Sequence, residues 1–410
     1  MADRPRQLDV WLGDERVAVC TQRSASAPIL LSHTAEALGR WGFNLPLLSC
    51  SLPSTDEPLD ATAFLDGYLP EGQARNDIAA AREVVASDTW MLMAHLGRDI
   101  AGALTLIDPD HEAADRAPGL APYDDDALAE AVLALPERPL DLHDDSELSL
   151  AGVQDKLLLV AHGDGWARPT GGRASTHILK PEPPAHQGIA ELEAESLRLA
   201  GAVGLTTITP KVLQVAGRPC LLVDRYDRAI GATGEVVRIH QEDLCQATGR
   251  DPRTNRGRGK YERHGGPGFV HAGAVLRAHA RDADEQLDRL AGAMVFTVLI
   301  GNSDAHGKNL SLLHVEPGRI ELAPLYDTVP TMLLDHLRVR CAMEVNGVHE
   351  SLAQVTRGDL IAEMAGRFRW KLAHDDSSAM VDRWIQRITD AAQQRGGPVA
   401  DYVVTRAASL

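Results

Sequence analysis

Leu8, Val10 and Leu12 alternate with polar residues, Gly13-Asp14 interrupts them, and residues 16–20 resume an extended pattern. Alternation on both sides of a turn predicts a β-hairpin over residues 8–20. Helical spacing of apolar positions follows at 60–68 and 74–96, with a further strand at 101–107. Residues 108–126 are rich in Pro, Asp, Ala and Gly and lack periodicity, which reads as a linker or surface loop. A short helix is expected at 127–135, then an acidic, solvated segment at 141–147. From 149 to 227 the pattern is strand-rich. Leu157, Leu158, Leu159 and Val160 form an apolar run, a Gly/Arg loop at 163–174 leads to His177-Ile178-Leu179-Lys180, and Leu221, Leu222 and Val223 read as a buried strand. One helix, 191–202, interrupts these strands and is closed by Gly204.

After about Gln241 the chain turns helical. Leu287, Leu290, Met294 and Val298 share one face of a helix over 284–300, and helices are also expected at 357–366 and 379–394. The expectation is an α+β fold in four parts: an N-terminal subdomain (1–107), a linker with a short helix (108–148), a strand-rich lobe (149–228) and a helical lobe (229–410).

Composition narrows the class. With 410 residues, 44% of them hydrophobic and 24% charged, the chain can build more than one core. Its formal charge of −17 makes it a poor nucleic-acid binder by itself. Five scattered cysteines show no metal spacing and fit a reduced, cytoplasmic protein. No apolar run is long enough for a membrane span, so no membrane role is expected.

The candidate chemistry lies where the long helix ends, in Gly301-Asn302-Ser303-Asp304-Ala305-His306-Gly307-Lys308-Asn309. Two apolar runs around Glu316-Pro317-Gly318 predict a hairpin that returns Tyr326-Asp327 to this loop. An Asp, an Asn five residues later and a second Asp beyond a hairpin is the order protein kinases use. The first Asp orients and deprotonates the acceptor, and the Asn and second Asp hold Mg²⁺ on ATP. Asn and Asp are also ordinary loop residues, and the weight comes from Asp327 falling at the right distance. Lys308 is expected to contact a phosphate or the acceptor. His306 reads better as a brace of the loop than as a catalyst. His306 and Tyr326 flank the metal residues and are grouped with the cofactor site.

Upstream, Lys180 ends a strand before a helix carrying Glu191, Glu193 and Glu195, the place of the kinase lysine that meets ATP phosphates. Glu193 is its candidate partner; Glu191 and Glu195 read as exposed. Ser149-Leu150 and then Ala151-Gly152-Val153-Gln154-Asp155-Lys156 precede the apolar strand. With one glycine this is no Walker loop, yet its backbone N–H groups and Lys156 suit a phosphate cradle. Asp224-Arg225-Tyr226 lies where a hinge would offer backbone groups to adenine. Residues 250–263 carry Arg250, Arg253, Arg256, Arg258, Lys260 and Arg263, the most basic stretch of an acidic chain.

Taken together these segments resemble the HipA family of bacterial toxin kinases. The resemblance rests on Ser-Leu-Ala-Gly-Val-Gln-Asp-Lys (149–156), Ile-Leu-Lys (178–180), Asp-Arg-Tyr-Asp-Arg (224–228), His-Gln-Glu-Asp-Leu-Cys-Gln (240–246), Gly-Gly-Pro-Gly (265–268), Asn-Ser-Asp-Ala-His-Gly-Lys-Asn (302–309) and Pro-Leu-Tyr-Asp (324–327). It implies a two-lobed, protein-kinase-like fold and ATP-dependent phosphorylation of a protein Ser or Thr, an aminoacyl-tRNA synthetase being one known target class. Asp304 would be the base, Asn309 and Asp327 the Mg²⁺ ligands, Lys180 a phosphate contact, and Ser149 an autophosphorylation site acting as an off-switch. The expected partner is a HipB-like helix-turn-helix antitoxin, with DNA met only through it. Asp224, Tyr226, Leu192 and Pro330 depart from the usual Glu, Phe, Asn and Ser. A non-enzymatic co-repressor and a kinase for a small acceptor are the alternatives.

Overall fold

The computed structural model describes residues 6–110, 117–143, 145–152, 154–232, 235–335, 337, 339–365 and 370–410. Its contacts gather into two compact units, residues 1–181 with 213–242, and residues 182–212 with 243–410.

The first unit holds two sheets. One uses β1 (Arg6–Leu12), β2 (Glu15–Gln22), β3 (Leu30–His33), β4 (Leu59–Asp60) and β5 (Leu104–Ile107), in the order β4-β3-β2-β1-β5. Leu12 pairs with Glu15 across Gly13-Asp14, and Gly13 adopts φ +62°, so the predicted hairpin forms around its predicted turn. Leu8, Val10, Val17 and Leu31 are buried with Phe64, Leu65, Trp90 and Met93.

The helix expected over 74–96 is two helices, Gly72–Ala81 and Thr89–Leu96. Glu83 turns left-handed at φ +55°, and the Asp88 carboxylate accepts the Met91 N–H at 3.0 Å, capping a new helix where one was expected to continue.

The second sheet contains β6 (Gly119–Tyr123), β7 (Leu157–His162), β8 (Gly165–Thr170), β9 (His177–Pro181), β10 (Lys211–Val215) and β11 (Arg218–Asp224), ordered β10-β11-β9-β7-β8-β6. Two expectations change here. Part of the supposed linker is β6, an edge strand in which Pro122 is tolerated because one side of an edge needs no N–H donor. Part of the supposed Gly/Arg loop is β8, which turns back from β7 after Gly163. Helix Asp125–Ala134, capped by Asp124, buries Ala131 and Val132 with Leu157, Leu159, Leu179 and Leu222.

A buried ion cluster joins chain segments that the sequence assigns to different parts. Arg225 bonds Asp227 at 2.8 Å, Ser175 Oγ at 2.8 Å and the Ile100 carbonyl at 3.0 Å. Arg228 reaches Asp99 at 3.0 Å, and Asp227 accepts the Gly102 N–H at 2.6 Å. Burial raises the Asp99 and Asp227 carboxyls, but the surrounding arginines outweigh it and hold both below the usual carboxylate range. Arg228 is pushed down to about 10 by burial and by Arg225, and stays charged at neutral pH. In contact terms residues 99–102 therefore belong with residues 175 and 225–228.

The second unit is mainly helical. Helix Ala283–Ile300 runs through its core, with Leu287, Leu290, Met294 and Val298 all fully buried as its spacing predicts. Helices Ile189–Ala202, Phe269–His279, Arg357–Met364, His374–Arg395 and Pro398–Ala407 belong to the same unit, and Ser311–Glu316 pairs with Arg319–Leu322 as the expected hairpin. Glu195, expected on the surface, accepts the Val399 and Ala400 N–H groups at 3.0 and 3.2 Å and so caps the last helix.

Candidate active site

The long helix stops at Gly301, whose φ of +70° makes a left-handed cap that side chains rarely adopt. The next eight residues form a loop held by its own polar groups. Asn302 accepts the Asp304 N–H through Oδ1 at 3.1 Å and donates through Nδ2 to the Asp327 carbonyl at 3.3 Å. Asn309 Nδ2 donates to the Asp304 carbonyl at 3.2 Å. Ser303 N–H donates to Thr331 Oγ1 at 2.8 Å, and that hydroxyl donates to the Gly301 carbonyl at 3.1 Å. Asp304, Asn309 and Asp327 are thus tied into one network through the main-chain carbonyls of the two aspartates.

Neighbouring segments fix this loop from outside. Gly307 N–H donates to the Lys260 carbonyl at 3.1 Å, and Leu244 N–H to the Gly307 carbonyl at 3.0 Å. A Cβ on Gly307 would stand 2.5 Å from Pro267 Cγ and 2.7 Å from Cys245 Sγ. Only glycine fits there, which gives the Gly-Gly-Pro-Gly and Asp-Leu-Cys-Gln segments a packing role. Tyr261 donates its hydroxyl to Asp304 Oδ1 at 3.3 Å and meets the His306 ring edge-on at 5.3 Å.

Three expected site residues turn out to be braces. Lys308 Nζ lies 3.1 Å from Asp243, with 4% and 9% of the two side chains exposed, so its ammonium is spent inside the protein. Asp243 also caps the helix Leu244–Ala247. Lys308 is therefore corrected from a phosphate or acceptor contact to an anchor of the loop. Tyr326 donates its hydroxyl to the Lys308 carbonyl at 2.7 Å and stands 2.6 Å from Ser311 Oγ. His306 is buried against Tyr261, in the bracing position preferred for it.

The oxygen set fits a hard cation. Asn309 spends its amide nitrogen on Asp304, so Oδ1 is the atom left to face a metal. Asp327 holds φ +53°, a costly conformation for a residue with a side chain and one that concentrates at working sites. One neutral carbonyl oxygen and one carboxylate suit Mg²⁺, which keeps waters and phosphate oxygens as its remaining ligands. Among the described residues no cluster of three His, Cys, Asp or Glu residues could hold a metal unaided. Behind the loop a cavity of about 20 Å³, room for about one water, is lined by Asn302, His306, Asn309, Tyr326 and Thr328, among others. The buried Thr328 hydroxyl has no hydrogen-bond partner among the described residues.

In the first unit, Lys180 stands on β9 opposite Leu221 of β11. Glu193 is buried on the helix Ile189–Ala202. Arg225 leaves the set of nucleotide contacts: its N–H donates to the Thr176 carbonyl at 2.9 Å and its guanidinium belongs to the ion cluster. Asp224 ends β11, and Tyr226, in the turn that follows, donates its hydroxyl to Gln241 Oε1 at 2.9 Å. Ser149 is fully buried, donating Oγ to the Tyr68 carbonyl at 2.8 Å and N–H to the Asp99 carbonyl at 2.9 Å. Lys156 folds back to the Ala151 carbonyl at 2.8 Å, and Gly152, at φ +119°, leaves room for it. Ala151, Gln154 and Asp155 lie on this same segment, while Val153 lies outside the described residues. Burial raises the Asp155 carboxyl despite Arg218 and Lys156. Sequence reasoning missed Asp243, Tyr261 and Thr331, whose partners are distant in the chain.

An α+β fold with this helix-to-hairpin polar loop is that of the HipA proteins. A HipA chain of Shewanella oneidensis, solved with HipB and its operator DNA, superposes with a TM-score of 0.75 over 98% of this chain and 95% of that one, at 24% identity. Residues 8–107 match the HipA N-terminal domain and residues 148–395 the HipA-like C-terminal domain. The chain belongs to the HipA family. It is 40% identical over 317 residues to the putative kinase Y4mE of Sinorhizobium fredii, covering 75% of this chain and 74% of that protein. It is 29% identical over 358 residues to the serine/threonine-protein kinase toxin HipA of Shewanella oneidensis, covering 83% and 78%. It is thus an enzyme of a kinase family. Among the described residues no helix is long and apolar enough to cross a membrane.

Proposed function

We propose that this chain transfers the terminal phosphoryl group of ATP to a Ser or Thr hydroxyl of a cytoplasmic protein, as the toxin of a HipB-like antitoxin pair. The supporting observation is the single network that ties Asp304, Asn309 and Asp327 together, with the Asn309 amide nitrogen committed to the Asp304 carbonyl. Bound Mg²⁺–ATP supplies the phosphoryl group and the neutralising charge. Asp304 orients the acceptor hydroxyl and takes its proton as the oxygen attacks. Asn309 and Asp327 hold the metal. Lys180 and the backbone of residues 151–156 meet phosphates, and Asp224 and Tyr226 offer backbone groups to adenine. His306, Lys308 and Tyr326 keep the loop in shape.

In this scheme residues 149–228 form the nucleotide lobe and 229–410 the lobe that serves acceptor and metal. Ser149 is the proposed autophosphorylation site. Its buried hydroxyl must leave Tyr68 first, and a phosphate cannot return to that position without burying its charge. An off-switch follows. The antitoxin supplies the DNA-binding surface that a chain of charge −17 lacks, and an aminoacyl-tRNA synthetase is the first substrate to try.

The test is incubation of the purified chain with labelled ATP and Mg²⁺ beside its Asp304→Ala variant. Label should enter the wild-type chain or a lysate protein and fall at least about a hundredfold in the variant, the lower end of what a positioned base contributes. Equal labelling by both would overturn the assignment.

A further inference from the structure

The basic stretch at 250–263 has no part in the scheme above. Some of its charge is committed. Arg250 bonds the Gly265 carbonyl and, at 2.7 Å, His271 Nε2; Arg253 pairs with Asp251 at 2.8 Å; Lys260 is buried and lies 5.7 Å from the Tyr261 ring centre. Arg256, Arg258 and Arg263 are different. All three are exposed, and none forms an ion pair or side-chain hydrogen bond with the described residues. They lie within eight residues of one another on a chain with 58 acidic and 41 Lys and Arg residues.

The segment carrying them has a defined backbone. Asn255, Arg256 and Gly257 are successively left-handed, at φ +53°, +60° and +77°. Two of these carry side chains, and such conformations persist only where the surroundings impose them. Thr254 Oγ1 donates to the Asp251 carbonyl at 2.9 Å and Asn255 Nδ2 to the His264 carbonyl at 2.7 Å. The same segment is fastened to the catalytic loop through Lys260 O with Gly307 N–H and through Tyr261 with Asp304. Unpaired cations are thereby held at a fixed offset from the carboxylate that orients the acceptor.

We propose that Arg256, Arg258 and Arg263 dock an acidic segment of the polypeptide that brings its hydroxyl to Asp304. This rests on the proposed protein-kinase function. A peptide suits the site better than a nucleic acid. Three arginines neutralise only a few charges, and the strongly negative remainder of the chain repels an extended polyanion. Carboxylates a few residues from a Ser or Thr need no longer footprint, and guanidinium forks pair with them bidentately.

The experiment uses the full chain with ATP, Mg²⁺ and three serine peptides that differ only in flanking residues: acidic, neutral or basic. The acidic peptide should show a KM roughly tenfold below the neutral one, as expected for a few partly exposed charge pairs. The triple variant R256E/R258E/R263E should erase that preference while kcat stays within about twofold and the melting temperature is unchanged. The corresponding triple Arg→Lys variant should keep most of it. Equal KM for the three peptides, or a preference that survives charge reversal, overturns docking. So does arginine-dependent binding of a single-stranded RNA oligomer with no preference among peptides. If neither the peptides nor the chain itself is labelled, the kinase assignment fails instead. Anisotropy of the fluorescent acidic peptide without ATP then still decides docking: binding lost in the charge-reversed triple supports it, and no arginine-dependent binding overturns it.

Discussion

Lys308 shows what one residue's neighbours do to its expected chemistry. Its place beside Asn309 suggested a phosphate contact, while its partner, Asp243, lies 65 residues away in the chain. Breaking a buried pair leaves an uncompensated charge, at a cost of about 3–5 kcal/mol. Lys308→Met should lower stability by that order in urea unfolding while ATP affinity holds. Unchanged stability with lost ATP affinity would restore Lys308 to the phosphates. Asp304, Asn309 and Asp327 could be grouped in the sequence because the hairpin between them was readable, although residues distant in the chain also hold their loop. Tyr261 and Thr331 were not, because a hydroxyl gives no sequence signal of the distant carboxylate or carbonyl it will meet.

Among the elements, legibility followed the strength of the periodic signal. The buried face of helix Ala283–Ile300 and the hairpin of β1 and β2 were readable. The strand β6 was hidden because Gly and Pro mark loops as well as sheet edges. The break before Thr89 was hidden because a capping carboxylate overrode an apolar pattern that continued through it. The helix-to-hairpin loop is itself an element with no slack at Gly307. Gly307→Ala should displace it from Pro267 and Cys245, costing about 1–3 kcal/mol. Phosphoryl transfer should fall more than tenfold. Full activity in that variant would show that the loop accommodates a methyl group there.

At the scale of the molecule, the sequence reading divided the first unit at residues whose contacts run across the division. Asp99, Arg225, Asp227 and Arg228 could not be paired in advance, since an isolated Asp or Arg gives no sign of burial. Asp99 and Asp227 titrate lower folded than unfolded. Their contribution is therefore complete above their unfolded values of about 4, and is lost as pH falls below that. Asp99→Asn should cost about 3–5 kcal/mol at neutral pH and flatten the stability profile on the acid side. Denaturant midpoints measured across pH check both; a variant with the wild-type slope would remove Asp99 from the acid response.

The bracing of the loop at 302–309 also constrains the order in which its parts can come together during synthesis. Asp304 takes its position from Tyr261, from the Gly307 contact to Lys260, and from the loop's tie to Thr331. A nascent chain ending short of Thr331 has made the proposed catalytic carboxylate but not the hydroxyl that fixes its loop. Helix Pro398–Ala407, capped by Glu195, belongs to the same unit and is made later still. The loop therefore cannot take its final shape until synthesis has passed Thr331.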